Sequence, residues 1–409
     1  MLTFKSFTGI NNVIPSARLT HDRESKTAEL ASAVNVDIGL TGEVRRRAGY
    51  SELLATCHKN LHQADGFILA TVDGGDLISM DAAGDNRVTL YPSLGVSRVW
   101  YCNLPDGRTT FSNGLICGVT DGATATAWGV PIPASLGALS ATAGDLYPGD
   151  YQYQLTYVRL SDGLEGGPIY SNPIPVASGG IILTGLPQLD GYKINVYITA
   201  HNGDYGFYAG ETTGTTFTYT GKNDALVRPC HTDKMYPAPA GTVQAMFRSR
   251  VLTAVENVLY ASRPGGWELF DIQRDFKQFS APITLVQPVD DGLYVGTTDE
   301  LAFLAGGEFD KLVYRRVAGP TVLGSGVSVR GELIKLGEGT GHGGAMICIA
   351  DGVICAGFSG GNIVRITEKR YQVSATEVSA TFRMARGRVP QYVAVPQYAE
   401  VPQPGGDPV

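Results

Sequence analysis

Charge is scarce in this chain. Asp, Glu, Lys and Arg make up only 17% of the 409 residues, and the balance is acidic, −7 at pH 7. A nucleic-acid groove needs Lys and Arg clustered against phosphates. The one dense basic run is Arg45-Arg46-Arg47, so a local basic patch is open and a basic groove is not. Long apolar runs are also missing. None approaches the roughly 20 residues of a membrane helix, and the opening MLTFKSFTG has no secretory h-region, so the expectation is a chain made and kept in a cytoplasm. The six cysteines include no CxxC pair, and Cys117, Cys348 and Cys355 sit inside apolar runs. They read as buried thiols and not as disulfides or zinc ligands.

Convergent chemistry is absent too. Cys57-His58 and His62 have a metal-like spacing, but zinc takes about four ligands and nothing completes the set. The glycine-rich GEGTGHGG (337–344) is followed by AMICIA, a strand pattern, whereas a phosphate cradle opens a helix. LGSGVSVRG (323–331) fails likewise, and no GxSxG elbow occurs. Asp290-Asp291 and Asp299-Glu300 lie at hairpin ends, where acidic residues serve as turn formers. Trp100, Trp128 and Trp267 fit a β core better than a sugar platform. No catalytic residue, metal or cofactor is expected, and the chain reads as a non-enzyme.

What is present is turn and strand: 52 Gly, 20 Tyr and 43% hydrophobic residues. DGLYVGTTDELAFLAG (291–306) sets the unit, a turn pair, an apolar run, a small or polar turn and a second apolar run. It recurs at 65–81, 113–129, 256–271 and 351–367. Such repetition at tens of residues suits propeller blades, with the hairpin at 36–54 as a sixth candidate. The alternative is an ordinary sandwich or barrel whose strands share turn chemistry.

The spacing breaks once. Turn residues Gly66 and Gly114 are 48 apart, and Asn257, Gly292 and Gly352 follow at 35 and 60, but Gly114 to Asn257 spans 143. In that gap lies a Tyr/Thr/Gly-rich segment, about 138–230. Its strand DYQYQLTYVR puts Tyr151, Tyr153, Leu155 and Tyr157 on one face, and KINVYIT groups Ile194, Val196 and Ile198. Seven or so short strands there read as a β-sandwich inserted in the repeat array. The expected order is therefore an N-terminal arm, hairpin and first propeller part (1–137), a sandwich (138–230), a second propeller part (231–388) and a C-terminal arm (389–409). The arm repeats VPQYVA, VPQYAE and VPQPGG. Proline at this density excludes a helix or a central strand. It leaves a polyproline-like extension, either free or docked through Tyr392 and Tyr398 on a neighbouring subunit. Short stretches 1–30 look irregular, and ESKTAELASAVN (24–35) is the only run of helix formers.

The N-terminal segment carries a resemblance. GINNVIPSARL (9–19) followed by LASAVNVDIGLTGEVRRRAGY (30–50) resembles the opening of structural tail proteins of double-stranded DNA bacteriophages, matching at Gly9, Asn11, Asn12, Asn35, Asp37, Gly42, Arg46, Gly49 and Tyr50. YQYQLTYVRLSDGLEGGP (151–168) is similar to fibronectin-type-III-like modules of virion proteins. The layout as a whole resembles the tail hub or nozzle group of short-tailed phages. The resemblance implies an all-β fold, a β-propeller-like core with an inserted fibronectin-III-like sandwich and an extended Pro-rich C-terminal arm. It implies a structural virion protein that forms a homo-oligomeric ring, six copies in that group, assembled in the host cytoplasm into the tail. Such a ring extends the DNA channel below portal and adaptor and supports fibres, a needle or the tail tip. Its partners are itself, those proteins and, in transit, the genomic DNA, which an acidic channel would repel and not hold. Arg45, Arg46 and Arg47, with Tyr392 and Tyr398, are then subunit or channel contacts. The competing function is a carbohydrate-binding or carbohydrate-cleaving propeller, which needs aromatics and carboxylates at an open ring mouth.

Overall fold

The computed structural model describes residues 6–396 apart from 20, 23, 40, 48, 50, 51, 53, 178, 337, 338 and 386–388. Among these the chain is built of strands, with five three-residue 3-10 turns and no α-helix. Among the described residues no helix is long and apolar enough to cross a membrane.

The N-terminal arm is more ordered than its irregular sequence suggests. Thr27–Leu30 is the middle strand of three, parallel to Ser6–Ile10 and antiparallel to His21–Asp22. The helix formers of 24–35 are thus overridden by pairing on both edges and by burial of Ala28. Val36–Ile38 and Val44–Arg46 form the expected hairpin. It stops at Arg46 well short of 54, has two strands with no buried residue, and is not a blade.

All five repeated hairpins are formed, each inside a four-stranded antiparallel meander. Blade 1 is His58–Gln63, Ile68–Val72, Leu77–Met80 and Val88–Tyr91. Blade 2 is Trp100–Asn103, Thr109–Ser112, Cys117–Thr120 and Ala125–Ala127. Blade 3 is Thr242–Phe247, Arg250–Val255, Val258–Arg263 and Gly266–Phe270, with Phe276–Gln278 added beside its third strand. Blade 4 is Ile283–Val289, Gly292–Thr297, Leu301–Ala305 and Val313–Ala318. Blade 5 is Val327–Arg330, Gly344–Ala350, Val353–Phe358 and Asn362–Arg365. First strands begin at 58, 100, 242, 283 and 327, a blade step of about 42 residues interrupted once.

Each blade is covered on both faces, which is why its inner strands read as near-continuous apolar runs. In blade 4, Val286, Leu293 and Val295 pack towards Phe247 and Leu259 of blade 3, whereas Leu285 and Tyr294 pack towards Met346 and Cys355 of blade 5. Blades 1 and 2 share Leu69, Leu77, Val99 and Phe111, and blades 2 and 3 share Val119, Trp128, Val251 and Phe270. The result is a β-propeller-like core.

The arrangement has a sixth member of half size. Val378–Ala385 pairs with Val389–Pro396, and Phe382 and Tyr392 of this hairpin pack on Val329, Ile347 and Ala356 of blade 5. The first eight residues of the proline-rich arm are therefore a paired strand and not a polyproline extension. They avoid the cost of proline by lying at an edge. Pro390 faces Met384 and Pro396 faces Val378, an even spacing that turns both missing N–H groups away from the partner strand.

The inserted segment folds as a fibronectin-III-like sandwich. One sheet orders Ala138–Leu146, Gly179–Thr184 and Thr216–Tyr219. The other orders Ile169–Tyr170, Tyr153–Arg159, Tyr192–Thr199 and Gly206–Thr212. Tyr151, Tyr153, Leu155, Tyr157, Ile194, Val196 and Ile198 fill the space between them. The reverse face of Tyr153–Arg159 is buried as well, where Glu165 accepts from Thr156, Asn195 and Tyr197 (2.5, 3.0 and 2.6 Å).

Candidate subunit-contact site

The motif residues of the N-terminal arm do a mechanical job. Asn11, buried, turns its Oδ1 to the backbone N–H groups of Val13 and Ile14 and donates from Nδ2 to Glu29. This Asx turn fixes the exit of the strand Ser6–Ile10. Asn12 reaches 360 residues along the chain. Its Nδ2 donates to the Gln372 carbonyl (2.8 Å) and its Oδ1 accepts from the Gln372 N–H (2.7 Å), the two bonds of a strand pair made by one side chain. Arg370 returns a bond to the Thr8 carbonyl (2.8 Å). The arm is thus clamped to the segment that follows blade 5.

From this clamp the hairpin Val36–Ile38/Val44–Arg46 projects. Asn35 enters it at φ 55, and Gly42 turns it at φ 81, where a Cβ would strike the Phe7 backbone. Asp37 pairs with Arg47 (3.3 Å) and Glu43 with Arg45 (3.2 Å). A hydrogen bond from Thr41 holds the Glu43 carboxyl below its usual range. Arg45 remains 77% exposed, Arg46 is exposed, and Val34 nearby is 84% exposed. Arg45, Arg46 and Arg47 therefore share one outlying hairpin, two of them with their charge balanced within it.

Tyr392 is elsewhere. Its hydroxyl donates to the Ser325 carbonyl (2.7 Å) and its ring joins the blade 5 core. It is an anchor, but on its own chain. Tyr398 lies outside the described residues. The described site residues thus fall in two places, hairpin and sixth blade, and the structure does not bring them together.

The seam between the sixth member and blade 1 differs from the other contacts. It is a cleft of about 600 Å³ between Lys59–Leu61 on one side and Ser379–Thr381 with Val393 and Val395 on the other. Arg98 crosses it, donating to Glu377 (3.2 Å) and the Val378 carbonyl (2.8 Å) while its guanidinium lies 4.1 Å over Trp100. Tyr101 lines the cleft with a buried hydroxyl that has no hydrogen-bond partner among the described residues.

The remaining sequence candidates resolve as framework. Asp290 and Asp291 accept from the Gly344 and Gly360 N–H groups of blade 5 (2.9 and 2.7 Å), so they tie adjacent blades. Glu300 accepts from Tyr314 (2.7 Å). His62 stacks on Tyr101 and bonds Asn103, and burial lowers its pKa. Among the described residues no three His, Cys, Asp or Glu side chains converge as metal ligands. Trp128 is buried and donates to the Trp267 carbonyl (2.8 Å), and Trp267 donates to Ser249. Four of the six cysteines are buried, Cys117 is half-buried, and Cys57 is exposed, which corrects the reading of all six as buried.

One cluster had no sequence signal. Glu268 of blade 3, its side chain 4% exposed, accepts from Arg108 of blade 2 (2.5 Å), from Arg159 of the sandwich (3.0 Å) and from the Gly129 N–H (3.3 Å). Arg159 also holds Asp162 (2.6 Å). A buried carboxylate thereby fastens the sandwich to two blades. Its members are 160 and 109 residues apart in the chain, and in WELFD the glutamate looks like the exposed position of an alternating strand.

No protein-family model matches the chain, and no curated protein does. Among solved structures it is similar to the computationally designed protein Ika8 at 10% identity over 83% of this chain and 96% of that one, TM-score 0.28. It is similar to BamB from Moraxella catarrhalis at 11% identity over 80% and 81%, TM-score 0.32. A third is BBS1N, solved in complex with ARL6DN, at 10% identity over 86% and 97%, TM-score 0.30.

Proposed function

We propose that the chain is a structural subunit of a phage tail hub or nozzle that assembles into a ring of identical copies. The observation that carries this reading is the N-terminal arm. Five residues of the tail-protein resemblance, Asn11, Asn12, Asn35, Asp37 and Gly42, act here to clamp the arm and to set out the Arg45–Arg47 hairpin, whose strands carry no buried residue of their own. A closed ring needs two different sticky faces per subunit, and a projecting hairpin supplies one of them. Its internal ion pairs lower the cost of covering it, because Arg45 and Arg47 bring their own counter-charges. In this reading the ring continues the DNA channel below portal and adaptor, the acidic balance lets DNA pass, and fibre or tip proteins attach on the outside.

The test is the assembly state. Purified protein is weighed by sedimentation, and intact particles are reconstructed with symmetry left free. The expected result is a ring, weakened at least tenfold in association by Arg45→Glu with Arg46→Glu and weakened by salt in the wild type. A protein that stays monomeric at high concentration and is missing from particles would sink the reading. The carbohydrate alternative gains no specific support, since Trp128, Asp290 and Asp291, which it would use, are spent on inter-blade contacts.

A further inference from the structure

A cavity of about 530 Å³ opens where the outer strands of blades 3 and 4 meet. That volume lies within the range of small-molecule pockets, about 300–1,000 Å³. On the blade 3 side its wall is the added strand Phe276–Gln278 and the two residues after it. On the blade 4 side it carries Glu300, Leu304, Leu312 and Tyr314.

Strand alternation puts a cation in this wall. Phe276 turns its ring to Tyr260 (centroids 6.3 Å), so Lys277 points the other way, towards blade 4. Its ammonium lies 5.5 Å from the centre of the Phe309 ring and reaches the Asp310 carbonyl at 3.5 Å. Among the described residues no carboxylate comes within 4.0 Å of it. Burial lowers its pKa, with Asp310 opposing from farther off, as befits a cation short of a counter-ion. The one carboxylate of the cavity is already committed. Glu300, its side chain 13% exposed, accepts from the Tyr314 hydroxyl (2.7 Å) and has Arg316 at 3.7 Å. The cavity also has an apolar part. Phe279, Leu304 and Leu312 are buried, and Tyr314 brings an exposed ring to the opening.

We propose that this cavity binds a small organic acid, a single carboxylate carried on a flat apolar body. Lys277 pairs with the carboxylate, and Phe279, Leu304, Leu312 and the Tyr314 ring hold the body. One negative charge is preferred over two. A phosphate dianion would meet a single ammonium with Glu300 in the same cavity and Asp310 beside Lys277, so repulsion would offset the attraction. A flat body is preferred because an aromatic face covers a large area of Tyr314 and the leucines at little entropic cost. The proposal does not rest on ring formation and stands or falls separately from it.

The test is titration of the full-length protein with 3-phenylpropionate, followed by ligand-observed NMR. Neutral 3-phenylpropanamide and cationic 3-phenylpropylamine are titrated in parallel. The expected result is saturable binding of the acid in the millimolar range, at least about tenfold tighter than the amide or the amine. Lys277→Met keeps the apolar stem and removes the charge, and it should erase that preference. No saturable binding of the acid overturns the proposal. So does unchanged affinity in Lys277→Met, and so does a preference for the amine, which would give the cavity to Glu300. A second readout uses the wild type alone. Saturating acid should slow acetylation of Lys277 at least about threefold relative to Lys311, which is 73% exposed and paired with Glu308. Equal acetylation of Lys277 with and without the acid would equally overturn it.

Discussion

Replacing Glu268 by Gln should loosen the sandwich from the propeller while leaving each part folded. The exchange preserves shape and removes the charge that Arg108 and Arg159 converge on. Arg159 is only 7% exposed, and its Nη1 has no partner among the described residues, so it depends on what Nε and Nη2 touch. Breaking a buried ion pair from one side costs about 3–5 kcal/mol, because the other charge is left uncompensated. The low end applies here. Arg159 keeps Asp162, itself 43% exposed, and Arg108 keeps Asp106 and partial access to water. A cost of about 3 kcal/mol corresponds to roughly a hundredfold gain in the undocked population. Two coupled units need not unfold in one step, so the assay is local: hydrogen exchange and protease cleavage in the connections 128–137 and 227–241. Both should rise by that order in Glu268→Gln. Glu268→Leu with Arg159→Met, which replaces ions by apolar groups of similar size, should recover most of the loss. The reasoning is refuted if Glu268→Gln leaves exchange in both connections unchanged.

Two further outcomes are expected. Asn12→Ala removes both bonds to Gln372, at about 0.5–1.5 kcal/mol each, so the arm 6–14 should exchange its amides several-fold faster while blade amides hold; an unchanged arm would show that the clamp lies elsewhere. Acid should destabilise the protein below the ordinary carboxylate range. Asp81 and Asp121 are held low chiefly by the N–H groups of Asp85 and Thr124, and Asp162 by Arg159. Depressed folded pKa values give stability that is complete above about pH 4 and is lost as pH falls through the folded values. Thermal scans should therefore be flat with respect to these groups from pH 5 to 8 and fall towards pH 2, and a midpoint insensitive to acid would contradict the assignment.

How much of this was legible depended on whether the cause was local. A turn pair such as Asp291-Gly292 and the apolar run after it specify a hairpin within a few residues, and every such hairpin formed. The blade period was harder, because the repeated hairpin does not sit at one place in the blade. At 65–81 and 291–306 it supplies the second and third strands, while at 113–129, 256–271 and 351–367 it supplies the third and fourth. That shift in phase makes spacings of 35, 48 and 60 out of a steady step near 42. The extra pair Lys335–Leu336/Gly339–Thr340 inside blade 5 stretches it further. Proline misled in the opposite sense. Its rule excludes central strands, and the sixth blade has only an edge to offer, so VPQYVAVP could be a strand once Val378–Ala385 lay beside it. The charged junction was beyond reach altogether, since Glu268, Arg108 and Arg159 belong to three different units and meet only because the sandwich is inserted between blades 2 and 3. That insertion puts the strand Tyr153–Arg159 within reach of blade 3's outermost meander strand. The interrupted spacing that reveals the sandwich in the sequence is therefore also the condition for the buried contact that holds it.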